Sequence, residues 1–404
     1  MNLGYTEEQV MFERSAQRFV KDAYGFETYL KVEASPQGYS PAVWKKMAEM
    51  GWTSLIIPSE DGGQGLGAVE LLQLMEALGR GLCIEPYLAN AVLSAQIITS
   101  MGSAKQRAEL LPGLIDGSRQ ISFAHSEVDG RFNRAHCATR AKAQGAGYRL
   151  DGRKSLVLNA PNADQIVVLA RTSGGLAEEG GLSLFVVDAR AAGVSLRPYK
   201  VLGGGVAADV ILEDVAVSAD ALLGEAGAAH DAVGDVIDLA TAASCADAYG
   251  AMQALLEKTV SYMKTRKQFG QPLSSMQVIQ HRLVDMFIEV QQTQSMILMA
   301  SIKLLDPSRA ERQKAVSACK AYVHKASKFV AQWAVQLHGG IGMTEELEIG
   351  HYFRRLTAFG NLFGDREHHL TRFVALTQEP AGQRSGERES GQQSGVREAA
   401  SMVA

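Results

Sequence analysis

Apolar positions recur every three or four residues from residue 1 to about 118. Val69, Leu72, Met75 and Leu78 are one such series, and the spacing predicts helices that bury one face. Gly79 and Gly81 read as stop signals for that helix. Just before it, PSEDGGQGLG at 58–67 is too glycine-rich for regular structure and predicts a loop feeding the helix. Between 119 and 223 the period changes. Residues 166–170, 182–187 and 210–212 are short β-rich runs separated by Gly, Asp and Asn. No long helical pattern alternates with them, so an all-β barrel or sandwich is expected rather than a doubly wound sheet.

From 224 to 380 the helical period returns. Val278, Ile279, Leu283, Met286, Phe287 and Val290 mark one apolar face, and 315–337 is a second long helical run, which together predict a helix bundle. Residues 238–250 are crowded with Ala and Ser, so neighbouring helices can approach closely there. Met286, Met296 and Met299 read as core filling. Residues 381–404 carry almost no apolar side chains and are expected to be a disordered tail. The fold class expected is therefore a multidomain α+β chain, helical, then β, then helical.

Composition narrows the function. The chain has 404 residues, 46% of them hydrophobic and 21% charged, enough for a sizeable core. Forty Lys and Arg stand against 44 Asp and Glu, a net charge of −4, so no basic excess exists to hold nucleic acid. No apolar stretch approaches the roughly 20 residues that cross a bilayer, and the first residues, with Glu7, Glu8 and Glu13, lack a signal-peptide pattern. Cys83, Cys137, Cys245 and Cys319 are far apart and suggest reduced thiols in a cytoplasmic protein, with no zinc site. No metal is expected at His368-His369, because sequence neighbours diverge on a helix; surface histidines are the expectation.

Two motifs carry candidate chemistry. KTRKQFGQPL at 264–273 is a cationic cluster at a helix end, where the Arg266 fork suits a phosphate and Phe269 could cover a ring. The same residues would also serve simply to complement a helix dipole. QLHGGIGMTEE at 336–346 ends one helix and opens another through a glycine-rich turn, with Thr344 as the expected N-cap. Its exposed N–H groups suit a pyrophosphate, and helix punctuation explains it equally well.

With the helical, β, helical order, these two motifs resemble the acyl-CoA dehydrogenase family over about residues 1–375. GWTSLIIP at 51–58, MEALGR at 75–80 and VILEDVAV at 210–217 add to the likeness. ADAYGAM at 246–252, GHYFRR at 350–355 and LFGD at 362–365 are similar to the small-subunit branch of pimeloyl-CoA dehydrogenases. The resemblance implies an N-terminal helical domain at 1–118, a middle β-barrel at 119–223 and a C-terminal four-helix bundle at 224–380. It also implies FAD, an acyl-CoA substrate, α,β-desaturation, and an electron-transfer flavoprotein or similar acceptor. Arg266, Gln268, Phe269, Gln336 and Gly340 match positions that contact the FAD of a neighbouring subunit, which implies an oligomer. Ser126 keeps the hydroxyl of a flavin-lining segment, and Asp238 matches an acidic residue of the acyl-CoA groove.

The departures concern the base. The family's glutamate falls on Phe363 and its alternative position on Ala240. The nearby carboxylates are Asp365 and Asp247. Leu156 and Leu158 stand where the family has a stacking Trp and a flavin-side hydroxyl, and Thr241 replaces the Arg partner of Asp238. Deprotonating Cα of a thioester needs a positioned base. Three accounts stay open: a displaced Asp in a homo-oligomer, a partner large subunit that supplies the base, or chemistry that does not begin at Cα. A chain that only binds acyl-CoA, or acts as a scaffold, is the non-catalytic alternative. Arg131, Arg134 and Arg140 are the cations available to a dicarboxylyl chain such as pimeloyl.

Overall fold

The computed structural model describes residues 4–378; the expected tail at 381–404 lies outside them. Thr6 opens helix α1 (Glu7–Ala23) with a reciprocal capping box to Gln9. Helices α2 (Phe26–Ala34), α3 (Pro41–Glu49) and α4 (Ala68–Arg80) follow. The glycine-rich run before α4 is irregular, apart from a short turn at Ser59–Asp61. A π-helical stretch, Leu88–Ser94, continues into α5 (Ala95–Met101), and α6 (Ala104–Ile115) completes the segment.

Gly79 does not stop α4; it lies inside the helix. A Cβ there would sit 1.9 Å from the carbonyl of Asp247, and one at Gly250 would sit 1.9 Å from the carbonyl of Glu76. The two glycines let α4 and α7 (His230–Thr265) touch backbone to backbone, with the Ala and Ser residues of α7 buried along the contact. That close approach helps bring Asp247 into the main cleft.

The middle segment is one hydrogen-bonded network of eight strands: β1 (Ile121–Ala124), β2 (Arg140–Gln144), β3 (Gly147–Leu158), β4 (Gln165–Arg171), β5 (Leu182–Asp188), β6 (Val194–Lys200), β7 (Val206–Ser218) and β8 (Leu222–Leu223). The path runs β6-β7-β3-β2-β4-β5-β8, with β1 parallel to β4. β4 reads as an unbroken apolar run because both its faces are covered. Val167 and Leu169 join the large helical core, while Ile166, Val168 and Ala170 join a second core inside the sheet. The β3–β7 register shifts between Lys154 and Val157, and this irregularity delivers Leu156 and Leu158 to the clefts described below.

The last segment packs α7 with α8 (Gln277–Lys303), α9 (Arg309–His338), α10 (Glu348–Asn361) and α11 (Arg366–Thr377). The predicted apolar face of α8 is only half covered. Met286 and Val290 are buried, but Val278 and Phe287 are 66% and 52% exposed, because α7 and α9 cover only one side of the helix. The fold also corrects two local expectations. Thr344 is not an N-cap: its hydroxyl donates to the Ile341 carbonyl, and α10 starts after Leu347 without a side-chain cap. His338, His351 and His369 are buried rather than on the surface, each meeting a backbone carbonyl through a ring nitrogen.

Candidate active site

All three segments meet at a cleft of about 480 Å³. Its walls are the chain after α4 (Cys83 to Ala89), the end of β3 (Leu156, Leu158, Asn159), the β6–β7 turn, Ser244 and Asp247 of α7, and the end of α10. The β6–β7 turn contains Gly203, Gly204 and Gly205, all at positive φ. A Cβ on Gly203 would meet the Arg355 backbone at 2.6 Å, so only glycine lets this turn lie against α10. The LGGG run was visible in the sequence but carried no chemical signal.

A smaller cleft of about 90 Å³ adjoins it, sharing Leu156, Leu158, Asn361 and Leu362. It is lined by His125, Ser126, Arg131, Arg134 and Phe363 among others. The structure therefore brings together Ser126, Leu156, Leu158 and Phe363, the position where the resemblance puts the base. Phe363 adopts φ 59°, an unusual conformation for a bulky residue, and its ring lies 6.3 Å from that of His125. Burial, with the charges of Lys154 and Arg134, pushes His125 down to about 3, so it is neutral.

The other base positions hold no free carboxylate. Ala240 is fully buried. Asp365 caps α11, accepting the backbone N–H of His368 at 2.8 Å. Asp247 lines the large cleft, but Arg355 donates to both its oxygens, at 2.8 and 2.5 Å. Burial works against the Arg355 charge, yet the attraction of Asp247 outweighs it and holds the guanidinium above its ordinary value.

Asp238 keeps arginine partners despite Thr241, whose hydroxyl bonds back to Ile237. Arg134 donates to it at 2.8 Å and Arg372 at 2.7 Å to each oxygen. Burial would raise its pKa; the two guanidiniums win and lower it. No spacing in the sequence announces these partners. Arg134 is thus engaged with Asp238, whereas Arg140 donates only to the Gly174 carbonyl at 3.3 Å, which leaves its charge unpaired, and Arg131 lines the smaller cleft.

Sequence reasoning also missed Lys154, fully buried in the β segment. It donates to Glu127 at 2.7 Å; Glu127 also accepts from Thr139 and from the Ala138 N–H. Burial would raise Glu127, but Lys154 and these hydrogen bonds pull it down to about 2. The pair ties the strand carrying Leu156 to the loop carrying Ser126.

The KTRKQFG and QLHGG motifs meet at one end of the bundle, where Tyr262 stacks on His338 with ring centroids 4.5 Å apart. Arg266, Gln268, Phe269, Gln336 and Gly340 are all exposed. Strands β9 (Lys267–Gln268) and β10 (Gln271–Pro272) form a tight hairpin whose two turn residues, Phe269 and Gly270, have φ of 53° and 79°. Such a turn favours Asn or Gly at its first position, and a phenylalanine there is strained. It is nevertheless 88% exposed, and the Arg266 guanidinium has no hydrogen bond or ion pair among the described residues. An exposed ring on a strained turn beside an unpaired guanidinium fits a planar, phosphate-bearing group such as FAD. The chain's own flavin side fits less well: Leu156 and Leu158 offer no polar side chain, and Asn159 donates to Gln120.

Comparison with known proteins decides the family. Residues 6–118, 122–215 and 215–375 match the N-terminal, middle and C-terminal domains of acyl-CoA dehydrogenase. The chain belongs to the acyl-CoA dehydrogenase family. Its members are FAD-dependent oxidoreductases acting on the CH–CH group of acyl-CoA thioesters. The chain is 29% identical to the 3-(aryl)acrylate reductase of Clostridium sporogenes, over 77% of this chain and 83% of that protein. It is 27% identical to subunit CarC of the caffeyl-CoA reductase–Etf complex of Acetobacterium woodii, over 88% and 93%. Among solved structures it is similar to a variant of the Tcur3481–Tcur3483 steroid ACAD, with 30% identity, 93% and 98% coverage and a TM-score of 0.82. The ChsE4–ChsE5 complex of Mycobacterium tuberculosis gives 25%, 94%, 100% and 0.85. No helix among the described residues is long and apolar enough to cross a membrane.

Proposed function

We propose that this chain is the base-lacking subunit of a two-subunit acyl-CoA dehydrogenase. In this reading Arg266, Gln268, Phe269, Gln336 and Gly340 complete the FAD site of a homologous partner, which supplies the carboxylate that removes the Cα proton. When bound, FAD accepts the hydride leaving Cβ. What this chain contributes is a guanidinium for phosphate oxygens, a ring for an aromatic edge, and apolar walls that exclude water around the thioester.

The strained, exposed Phe269 turn carries the reading, because the cost of holding a phenylalanine there is recovered only by contact with something outside this chain. Two further features support it. Phe363 and Ala240 cannot accept a proton, and Asp247 and Asp365 are committed to Arg355 and to a helix cap. The exposed apolar residues Val278, Val284 and Phe287 of α8, with Met343, offer an uncovered face for a second chain. A homo-oligomer would use the same turn and the same uncovered face; what speaks against a displaced Asp base in it is that Asp247 is held by Arg355 and Asp365 by a helix cap.

The relatives are named for aryl acrylate, caffeyl and steroid chemistry, and they do not single out the pimeloyl branch. An electron-transfer flavoprotein is the proposed acceptor, in line with the Etf complex named for CarC. The test is co-purification from the native host. FAD and a homologous partner should arrive together, with the chain alone flavin-poor; a homo-oligomer carrying a full complement of FAD would contradict the proposal, and an assembly without flavin would favour the scaffold alternative.

A further inference from the structure

The smaller cleft carries an arginine with no partner. Glu127, which lines it, is held by Lys154, and Arg134 is held by Asp238, whereas the Arg131 guanidinium has no hydrogen bond or ion pair among the described residues. Charge is unbalanced there too. Arg134 and Arg372 share the one carboxylate of Asp238, which leaves that cluster a positive charge in excess before Arg131 is counted. The backbone fixes where Arg131 stands. Its φ is 45°, in the left-handed region that a long side chain seldom adopts, and such strain collects where side chains meet ligands. On one side, Gly130 is packed so closely on His136 that a Cβ there would lie 2.7 Å from its Nδ1. On the other, the Phe132 ring lies 5.4 Å from that of His368 on α11, and Arg134 donates to the Gly234 carbonyl of α7 at 3.0 Å. The loop is thus tied to two helices and presents Arg131 to the cleft from a set position.

The larger cleft is opposite in character. Met75, Leu78, Ile84 and Leu88 make much of its wall apolar, and its Asp247 and Arg355 neutralise each other. The two clefts share Leu156, Leu158, Asn361 and Leu362, so one ligand can enter both. We propose that Arg131 binds an oxyanion of an acyl-CoA, a carboxylate or a phosphate, while an apolar part of the same molecule fills the larger cleft. The planar guanidinium fork suits either oxyanion. The carboxylate would be the far end of a dicarboxylyl chain, and the phosphates those of CoA itself. This deepens the reading of the clefts as an acyl-CoA site and rests on it.

Calorimetry on the full-length chain, without partner, reads these clefts alone. The probes are octanoyl-CoA, the mono-CoA thioester of octanedioic acid, and octanoyl-pantetheine, which has neither phosphate nor carboxylate. Arg131→Gln should weaken at least one CoA probe about tenfold, the worth of a charge-assisted hydrogen bond, and leave octanoyl-pantetheine unchanged. Loss confined to the octanedioyl probe assigns a carboxylate; loss shared by octanoyl-CoA assigns a phosphate. Arg131→Lys should keep part of the affinity. Arg140→Gln removes another unpaired charge, from a residue that lines neither cleft, and should change nothing. No loss with any probe, an equal loss with octanoyl-pantetheine, or an equal loss in Arg140→Gln overturns the role of Arg131 alone. Failure of every probe to bind the wild type overturns both this inference and the acyl-CoA reading beneath it.

Discussion

Replacing Asp247 by Asn separates a structural role from a catalytic one. Both its oxygens are held by Arg355, and the two side chains are only 12% and 15% exposed. The amide preserves size but not charge, leaving Arg355 a buried cation whose acceptors are the single Asn oxygen and the Cys83 carbonyl at 2.9 Å, with no counter-charge. Breaking one side of a buried pair costs about 3–5 kcal/mol, and the surviving carbonyl places this case near the lower end. With an unfolding entropy of about 2.1 cal/mol/K per residue over ~375 described residues, about 3 kcal/mol lowers Tm by roughly 4 °C. Thermal unfolding at neutral pH reads the shift. The double variant Asp247→Leu with Arg355→Met should recover much of the loss, because an apolar pair leaves no orphan charge. In the assembled enzyme, flavin reduction by acyl-CoA should slow by less than about tenfold, whereas losing a general base costs about 10²–10⁴. A variant as stable as the wild type but slowed a hundredfold or more would make Asp247 the base and refute this reasoning.

Gly250→Ala should destabilise the chain by at least about 1–3 kcal/mol, since its Cβ would press on the Glu76 carbonyl; an unchanged urea midpoint would contradict the helix contact. Glu127, held at about 2 against an ordinary 4.5, contributes about 3 kcal/mol of stability that is present above pH ~4.5 and lost as pH falls toward 2. Lys154→Met should make the chain gain stability as pH falls from 7 to 5, where Glu127 leaves the wild type flat, because an unpaired buried carboxyl favours the protonated form; parallel Tm profiles would count against the pair. Arg266→Ala should weaken FAD retention in the assembled enzyme about ten- to hundredfold, and unchanged retention would remove the phosphate-fork assignment.

Periodicity made much of the architecture legible. The three-residue spacing of Val69, Leu72, Met75 and Leu78 located α4, and the apolar run at 166–170 located β4, because each pattern is set by local geometry. What failed depended on distant neighbours. Gly79 looks like a helix terminator until Asp247 is packed against it, and the α8 stripe looks like core until one side proves uncovered. The motifs at 264–273 and 336–346 were readable as anion-binding candidates. That they lie side by side depends on Tyr262 meeting His338, and the strain at Phe269 appears only in its backbone.

The central claim is that this chain completes a partner's FAD site and lacks a base of its own. Anaerobic mixing with acyl-CoA, following the flavin band, tests it most directly on two samples: the chain alone reconstituted with FAD, and the co-purified complex. Bleaching by the complex and none by the lone chain is the predicted result. Rapid bleaching of the lone chain would contradict it.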